Sequence, residues 1–399
     1  MTEKKYERYY DLAGKASFEN RESVRNSKLC GCYCCRSIFP SSEVSADEWI
    51  ADRHGRTVLC PRCSVDAVIG DASGIPIRED VLEELHREMF GIDEGPVARC
   101  VGSGIYNLDT IVVREYPDGP AGKRFTEKVV AEEAGGTCGN VMCLLASFGL
   151  ETYPQACLDD SPQGKKIAED LERYGCDMRF VTHAPDGGTT LLRITHKRNP
   201  DGTPGISVRA GSPGGSRFPR RKFLRARDQA PAFVDALTAE FIPDFYFFDS
   251  PAAGHRYVAR ELRRMGTTVY YEPSGVSTNA DMECISLSDI VKFSDENVPD
   301  MSFADGFKDK LFIQTCGKDG LRFKLRGGAW KTLPGVPNGH VVDTEGAGDW
   351  TTAAIIYGIV RSGKPFEALD EEDLVPILNE AQRIASEKVS HLGSKGNLS

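Results

Sequence analysis

A short run of small residues near position 346 ends in a carboxylate. Residues 341–352 read VVDTEGAGDWTT, and an apolar stretch typical of a helix follows them. Glycines let an anion approach the main chain, and the first amides of a helix attract negative charge. Asp349 would repel a phosphate there unless it takes a proton from an attacking hydroxyl. The plainer interpretation is that Asp349 caps the helix.

Cysteines with metal-ligand spacing occur in the first part of the chain. Two C-x-x-C pairs are present: Cys32, Cys35, Cys60 and Cys63. Two such pairs predict a tetrahedral Zn²⁺ site, because each turn brings two thiolates to one ion. Cys30 and Cys34 offer other pairings, of Cys30 with Cys34 or of Cys32 with Cys34, whose spacings suit the metal less well. A set of ordinary free thiols is the remaining interpretation.

Composition and charge limit the classes of function. The chain has 399 residues, 40% of them hydrophobic, and a formal net charge of −10. That charge argues against a general nucleic-acid binder, and no apolar run is long enough to span a membrane. The first residues lack the apolar core of a signal peptide. We therefore expect a cytoplasmic protein whose thirteen cysteines are reduced thiols plus a metal site.

The elements that position these groups divide into two predicted domains. Residues 1–95 are expected to form a module like a zinc ribbon, in which the metal replaces a core that so short a segment cannot build. Its last part, residues 80–90, has helical spacing, and a linker GIDEGP follows. Residues 96–399 alternate buried runs such as FYFF and VYYEP with helical runs. This alternation predicts an α/β fold with a doubly wound, mostly parallel sheet.

The sequence DTEGAGD at residues 343–349 resembles the second signature of the ribokinase-like, or PfkB, family of small-molecule kinases. That signature reads D-T-x-G-A-G-D. The resemblance implies that Asp349 is the catalytic base. It also implies that the backbone of Gly346, Ala347 and Gly348 holds the transferring phosphoryl group.

Two earlier motifs resemble the acceptor site of the same family. Asn107 and Asp109 form N-x-D at the end of a predicted strand, where the family holds substrate hydroxyls with an aspartate. The plainer interpretation is an Asx turn. The sequence GGTCGN resembles the first signature, G-G-x-x-x-N, and implies that Gly135, Gly136 and Asn140 hold the acceptor. A helix entered through glycines is an equally sound structural interpretation.

The resemblance also implies positions for ATP. Thr315, Gly317 and Gly320 form T-x-G-x-x-G between two predicted strands, which matches the nucleotide loop of the family. Its small residues would admit the triphosphate. Asn379 lies on the predicted closing helix, which borders the adenine pocket in the resembling proteins. ATP is therefore the expected phosphoryl donor.

The expected Mg²⁺ position departs from the family pattern. The family places Mg²⁺ with Asn-x-x-Glu, and this chain has Ser294 and Asn297 at the matching positions. Asp295 and Glu296 lie between them and are the expected substitutes, with Glu296 as the predicted ligand. A carboxylate suits this role, since Mg²⁺ prefers oxygen ligands.

Two stretches alternate and turn like β-hairpins: EYPDGPAGKRFTEKVVAEE and TTLLRITHKRNPDGTPGISVRAG. In the resembling family such strands form a lid over the sugar and a contact between two copies, so a β lid and a homodimer through it are expected. Asp160 and Gly164 match the family loop G-x-D-x-x-G. The basic stretch SPGGSRFPRRKFLRARDQ suits either a solvated loop or a site for an anionic partner.

The function implied is ATP-dependent phosphorylation of a hydroxyl on a sugar or related polyol, with ATP, Mg²⁺ and structural Zn²⁺ as cofactors. The alternative is a catalytically weak relative that senses a sugar or nucleotide and contacts a partner through the zinc module. Ser294 and Asn297 favour this alternative, and the intact DTEGAGD motif opposes it. Nucleic-acid recognition by residues 1–95 is a weaker third hypothesis, because no basic stripe interleaved with aromatics occurs there.

Overall fold

The computed structural model divides the chain into two compact units, Met1–Gly95 and Pro96–Ser399. The residues that the structure describes are 9–46, 48–51, 55–78, 81–82, 85–86, 89, 98–116, 124–184, 188–198, 204–212 and 222–396. Four predicted features lie outside them: the linker GIDEGP, the turn at residues 117–123 of the first hairpin-like stretch, the hairpin turn at residues 199–202 and residues 213–221 of the basic stretch.

The first unit is built on short antiparallel strands. They are β1 (Leu29–Cys32), β2 (Ile38–Pro40), β3 (Trp49–Ala51), β4 (Arg56–Val58) and β5 (Val68–Gly70), preceded by α1 (Tyr10–Ala16) and α2 (Arg21–Arg25). β1 lies between β2 and β5, while β3 and β4 form a separate ribbon. Of the helix predicted for residues 80–90, the described positions are helical. Leu82 and Leu85 from it are buried in the small core with Val24, Val58 and Ile69.

The second unit contains an eight-stranded sheet. Its strands, in spatial order, are β19 (Lys331–Leu333), β18 (Leu321–Leu325), β17 (Leu311–Thr315), β16 (Ile290–Ser294), β15 (Thr268–Tyr271), β14 (Phe245–Phe248), β6 (Arg99–Ser103) and β9 (Glu151–Gln155). The six strands from β17 to β9 are parallel. β18 and β19 add an antiparallel edge. The predicted doubly wound, mostly parallel sheet is confirmed.

Helices cover both faces of this sheet. They are α3 (Thr137–Ser147), α4 (Pro162–Arg173), α5 (Gln229–Glu240), α6 (Ala253–Arg264), α7 (Asn279–Leu287), α8 (Ala347–Arg361) and α9 (Glu371–Lys388). One core joins α3, α4, α8 and α9 to the sheet, and a second core joins α5, α6 and α7 to it. Neighbouring residues of β14 alternate between the two: Phe245 and Phe247 enter the first core, and Tyr246 and Phe248 the second. Burial on both faces explains why FYFF is apolar throughout.

A separate four-stranded sheet is formed by the two hairpin-like stretches. It runs in the order β13 (Pro204–Gly211), β12 (Thr190–Arg198), β7 (Asn107–Glu115) and β8 (Thr126–Gly135). β12 and β7 are parallel, and the outer pairs are antiparallel. The N-x-D motif begins β7 instead of ending the preceding strand β6. The prediction therefore assigned the motif to the wrong strand, because the hydrophobic pattern does not show the tight connection between β6 and β7.

Candidate active site and metal centre

The carboxyl ends of the parallel strands meet at one edge of the large sheet. Polar residues stand at or directly after four of these ends: Asp249 follows β14, Glu272 follows β15, Ser294 ends β16 and Thr315 ends β17. Asp349, in the first turn of α8, is close enough to Glu272 and Asp249 for their charges to raise its pKa. Open α/β sheets bind their ligands at this edge.

The turn that precedes α8 leaves main-chain amides available. No acceptor for the amides of Gly348 and Asp349 occurs among the residues that the structure describes. Gly346 has φ +78°, and a Cβ on it would lie 2.5 Å from the carbonyl oxygen of Ser394. A Cβ on Gly348 would meet nothing closer than Nζ of Lys292 at 3.6 Å. Packing therefore requires the first glycine, while the second leaves its side open to an anion.

Asp349 is a buried carboxylate that bonds across the site. It is 9% exposed, and its Oδ2 accepts a hydrogen bond from Nδ2 of Asn140 at 2.6 Å. Burial, followed by the negative charge of Glu272, raises the pKa of Asp349 to about 8, although the Asn140 bond and the charge of Lys292 act in the opposite direction. A carboxylate with a raised pKa is a better proton acceptor near neutral pH than an exposed one.

A buried ion pair lies beside this turn, and sequence reasoning missed it. Nζ of Lys292 lies 2.5 Å from Oε1 of Glu272, and Oγ1 of Thr352 donates to Oε2 of Glu272 at 2.6 Å. A signal was present in the sequence: Glu272 directly follows a buried strand, and Lys292 interrupts another. The pair ties α8 to the sheet and places a positive charge near the open side of Gly348, where a phosphate would be stabilised.

The predicted acceptor residues of the small sheet also lie together. Asp109 is 4% exposed, and its Oδ1 accepts a hydrogen bond from Nδ2 of Asn107 at 2.5 Å. A Cβ on Gly135 would lie 1.9 Å from Oδ2 of Asp109, and Gly136 has φ +84°. Burial raises the pKa of Asp109 to about 7, although the charge of Lys395 acts against the rise. The carboxylate of Asp109 therefore excludes a side chain at Gly135, while positive φ and the carbonyl oxygen of Ile105 require glycine at position 136.

Asn140 connects the two carboxylates. Its Nδ2 donates to Asp349, and its Oδ1 accepts hydrogen bonds from Oγ of Ser394 and Nζ of Lys395, each at 3.0 Å. Lys395 in turn lies within electrostatic range of Asp109. The structure thus brings the predicted base and acceptor residues into one cluster. Sequence reasoning missed Ser394 and Lys395, because LGSKG reads only as a polar loop after a helix.

The predicted nucleotide loop lies at the same edge of the sheet. Thr315 ends β17, and the tight turn to β18 contains Gly317 with φ +53° and Gly320 with φ +104°. A Cβ on Gly320 would lie 2.2 Å from the carbonyl oxygen of Leu333, so glycine is required there. Asn379 is exposed on α9. The role of these residues in ATP binding stays a prediction.

The predicted Mg²⁺ ligand Glu296 is exposed in the turn after β16. The amide of Asn297 donates to Oγ of Ser294 at 3.2 Å, which closes this turn. Within the described ranges, only the four cysteines form a group of three or more His, Cys, Asp or Glu side chains with metal-ligand spacing. The assignment of Glu296 to Mg²⁺ therefore stays a prediction.

The loop before α4 differs from the expected G-x-D-x-x-G pattern. Asp159, instead of Asp160, is the buried carboxylate, and it accepts hydrogen bonds from the amides of Ser161 and Thr189, each at 3.1 Å. The side chain of Asp160 is 63% exposed. A Cβ on Gly164 would lie 2.2 Å from the carbonyl oxygen of Asp159. The match at Asp160 stays a prediction, and the carboxylate that the structure buries is fixed by the amide of Thr189, just before β12, a contact that the sequence does not reveal.

The four predicted zinc ligands converge in the first unit. Sγ of Cys32 lies 3.7 Å from Sγ of Cys63, and Sγ of Cys35 lies 3.7 Å from Sγ of Cys60. All four sulfurs lie within 4.8 Å of one another. A Zn²⁺ with Zn–S bonds of about 2.3 Å requires sulfur separations of about 3.8 Å, so this tetrad fits the ion. The other pairings, through Cys30 or Cys34, are not the ones that the structure brings together.

The two cysteine turns have the same backbone design. The amide of Cys32 donates to the carbonyl of Ser37, five residues on, and that of Cys60 donates to Val65 in the same way, each at 2.9 Å. The residue after each pair, Arg36 or Ser64, has positive φ. A divalent cation at this tetrad would favour four thiolates, since the thiolate is the form of cysteine that binds metals.

The last part of the chain matches the model of a known protein family. Residues 256–399 match the family described as pfkB family carbohydrate kinase, which includes the turn before α8 and the site edge from Glu272 to Asp349. This part of the chain is a PfkB family domain, as the resemblance predicted. No curated protein sequence matches the chain.

Solved structures similar to this chain are ribokinase-like. Ribokinase of Arabidopsis thaliana, solved with ribose and ATP, is 20% identical with a TM-score of 0.54 and covers 75% of this chain and 95% of its own. Fructokinase of Xylella fastidiosa with bound ATP is 17% identical, with a TM-score of 0.55 and 74% and 94% coverage. Nucleoside kinase of Burkholderia thailandensis with inosine is 15% identical, with a TM-score of 0.53 and 75% and 92% coverage. The chain therefore has a ribokinase-like fold. Among the helices that the structure describes, none has both the length and the apolar character needed to cross a bilayer.

Proposed function

We propose that residues 96–399 transfer the γ-phosphoryl group of ATP to a hydroxyl of a sugar or related polyol. The observation that carries this proposal is the cluster of Asp109, Asn140 and Asp349. These side chains come from β7, α3 and α8, yet Asn140 bonds to both Asp349 and Lys395, and Lys395 lies within electrostatic range of Asp109. The PfkB match and the ribokinase-like neighbours support a kinase over a catalytically weak sensor.

The residues divide the reaction between them. Asp109 accepts hydrogen bonds from acceptor hydroxyls, since a carboxylate oxygen has several free lone pairs. Asp349 takes the proton from the attacking hydroxyl as its oxygen forms a bond to the γ-phosphorus. The bond from that phosphorus to the β,γ-bridging oxygen then breaks, and ADP leaves. The free amides of Gly348 and Asp349, with Lys292 nearby, stabilise the charge on the transferred group.

Two metal ions belong to this proposal. Mg²⁺, when bound with ATP, supplies charge neutralisation between the β- and γ-phosphates, and Glu296 is the predicted protein group beside it. Zn²⁺ would be held by the cysteine tetrad, where it stabilises the first unit. We also propose that the small sheet forms a contact between two copies of the chain, as the lid does in the resembling family. Exposed valines of this sheet, such as Val129 and Val208, support that role.

The test is ADP release by the full chain with Mg²⁺, ATP and a panel of sugars, polyols and nucleosides. We expect release above the acceptor-free background with at least one sugar or polyol, and a phosphorylated product by mass spectrometry. Nucleotide and sugar binding without any turnover would overturn the kinase in favour of the sensor. Product found only with nucleosides would show that the acceptor is a nucleoside instead of a sugar or polyol.

A further inference from the structure

Lys395 is a buried cation inside the proposed acceptor site. It lies in the turn at residues 393–396, which follows α9, and is 1% exposed. Its Nζ donates to Oδ1 of Asn140 at 3.0 Å and to the carbonyl oxygen of Ala134 at the end of β8. It also faces the ring of Tyr174, with Nζ 5.7 Å from the ring centroid. Nothing in the motif pattern assigns this residue a role.

The turn that carries Lys395 is a fixed part of the site. The amide of Gly393 donates to Oδ2 of Asp343 at 2.8 Å, and Nε1 of Trp350 donates to the carbonyl oxygen of Ser394 at 3.0 Å. That carbonyl oxygen is the atom that excludes a Cβ at Gly346. Because Gly346 has no side chain, this turn can pack against the start of α8. The fixed backbone of the turn directs the side chain of Lys395 toward the acceptor residues.

The surroundings of Lys395 are acidic. Asp109, on β7, lies within electrostatic range of it. Glu133 lies directly opposite Asp109 on β8, and its Oε1 accepts a hydrogen bond from Oγ of Ser394 at 3.2 Å. Glu345, from the segment before α8, adds a further negative charge near Asp109. The positive charge of Lys395 lowers the pKa of Asp109 and so opposes burial and the charges of Glu133 and Glu345, which raise it.

We propose that Lys395 is a positioning residue for the acceptor: it holds Asn140 with its amide nitrogen toward Asp349 and compensates the charge of Asp109. The proposal deepens the proposed kinase function and rests on it. Oδ1 of Asn140 accepts from the Lys395 ammonium, which can only donate, so Nδ2 is the end left for Asp349. A carboxylate accepts from hydroxyls more strongly when it is ionised, so this ammonium strengthens acceptor binding.

The kinetic test compares Lys395→Met with two controls. Lys395→Met should raise the KM for the acceptor at pH 7 by about tenfold or more, since hydrogen bonds to charged groups are strong, with little change in the KM for ATP. Its acidic limb of kcat/KM should move to higher pH. Ser394→Ala, which keeps the ammonium, should show no such pH shift. Lys364→Met, at an exposed pair with Asp373, should match wild type.

A purely structural role for Lys395 predicts a different pattern. It would lower the melting temperature and affect acceptor and ATP parameters alike, with an unchanged pH profile, and that pattern would overturn the proposal. Where Lys395→Met does not fold, Lys395→Gln keeps hydrogen-bond donors without the charge and takes its place in both measurements.

A second measurement separates this proposal from the proposed function. The titration of Asp109 is followed by ¹³C NMR of aspartate-labelled full-length protein, with the signal assigned by its loss in Asp109→Asn. The midpoint should be higher in Lys395→Met than in wild type, whether or not any acceptor is phosphorylated. An unchanged midpoint would refute the role of Lys395, while absence of turnover by wild type with a shifted midpoint would refute only the kinase.

Discussion

The cysteine tetrad and the kinase site gather ligating groups in opposite ways. The four sulfurs come from two turns of one short unit, and each turn fixes two of them through its own backbone. The kinase site is assembled from β7, α3, α8 and the turn after α9, so only the complete fold brings Asp109, Asn140 and Asp349 together. The repulsion between negative groups is also compensated differently in the two sites. Four thiolates in the tetrad would require a cation from outside, whereas the proposed kinase site contains Lys292 and Lys395 beside its carboxylates.

The largest expected effect tests the first half of this comparison. Removal of the metal with a chelator should unfold the first unit, because its core is small and structural Zn²⁺ in such modules supplies about 10 kcal/mol or more. Replacing Cys35 or Cys60 by serine should do the same. Zinc content and circular dichroism of the full chain measure the result. A first unit that stays fully folded after all metal has been removed would show that the tetrad is a set of ordinary thiols.

Substitution at Asp109 tests whether this carboxylate holds the acceptor. Asp109→Asn should raise the KM for the acceptor roughly 10- to 100-fold, the range expected for hydrogen bonds to a charged group. The KM for ATP should remain near that of wild type. Steady-state kinetics with each substrate varied in turn give both values. Equal losses for the two substrates would place Asp109 outside the acceptor site.

The pH dependence of the kinase should follow Asp349. Since the base acts when ionised, kcat/KM should rise about tenfold per pH unit up to the Asp349 pKa of about 8 and level off above it, with a steeper rise below about 7, where Asp109 is protonated as well. Stability has the opposite dependence. The folded-state pKa lies above the ordinary value of 3.8, so folding takes up a proton between these values and stability falls as pH rises through that window. A profile flat from pH 6 to 9 would exclude this base.

The smallest expected effect is a difference in stability between alanine variants of the two glycines in the turn before α8. Gly346→Ala combines positive φ with a contact to a backbone oxygen, so it should cost about 1–2 kcal/mol and lower the melting temperature by several degrees. Gly348→Ala has room for its methyl group and should leave the melting temperature unchanged while weakening ATP turnover. Thermal melts and ADP release on the two variants provide the comparison. Equal melting temperatures would contradict the packing role of Gly346.

The parts of the fold that could be predicted are those with a local pattern. The strand residues FYFF and VYY are apolar throughout because both faces are covered, and the cysteine pairs carry their spacing in the chain itself. The motif around Asp349 likewise places turn, glycines and carboxylate in one continuous run. The groups at the carboxyl edge of the sheet follow the strand ends, so Glu272 was available to the same reasoning and was overlooked.

What could not be predicted depends on contacts between distant segments. Lys395 is ordinary in sequence, and its burial follows only from the way the turn after α9 packs on Gly346. The choice of Asp159 over Asp160 depends on the neighbouring amide of Thr189, contributed by the segment that leads into β12. Such pairings leave no periodicity or spacing in the chain, since either partner alone suits a polar loop.

The central claim is that Asp349 takes the proton from the acceptor. The most direct measurement is single-turnover transfer of labelled γ-phosphate at pH 8 by Asp349→Asn beside wild type, with an acceptor from the panel. The amide can still accept the hydrogen bond from Asn140, so the fold and the acceptor affinity should persist while the transfer rate falls by about 100-fold or more. A rate within about twofold of wild type, below the range expected for any general base, would contradict the claim.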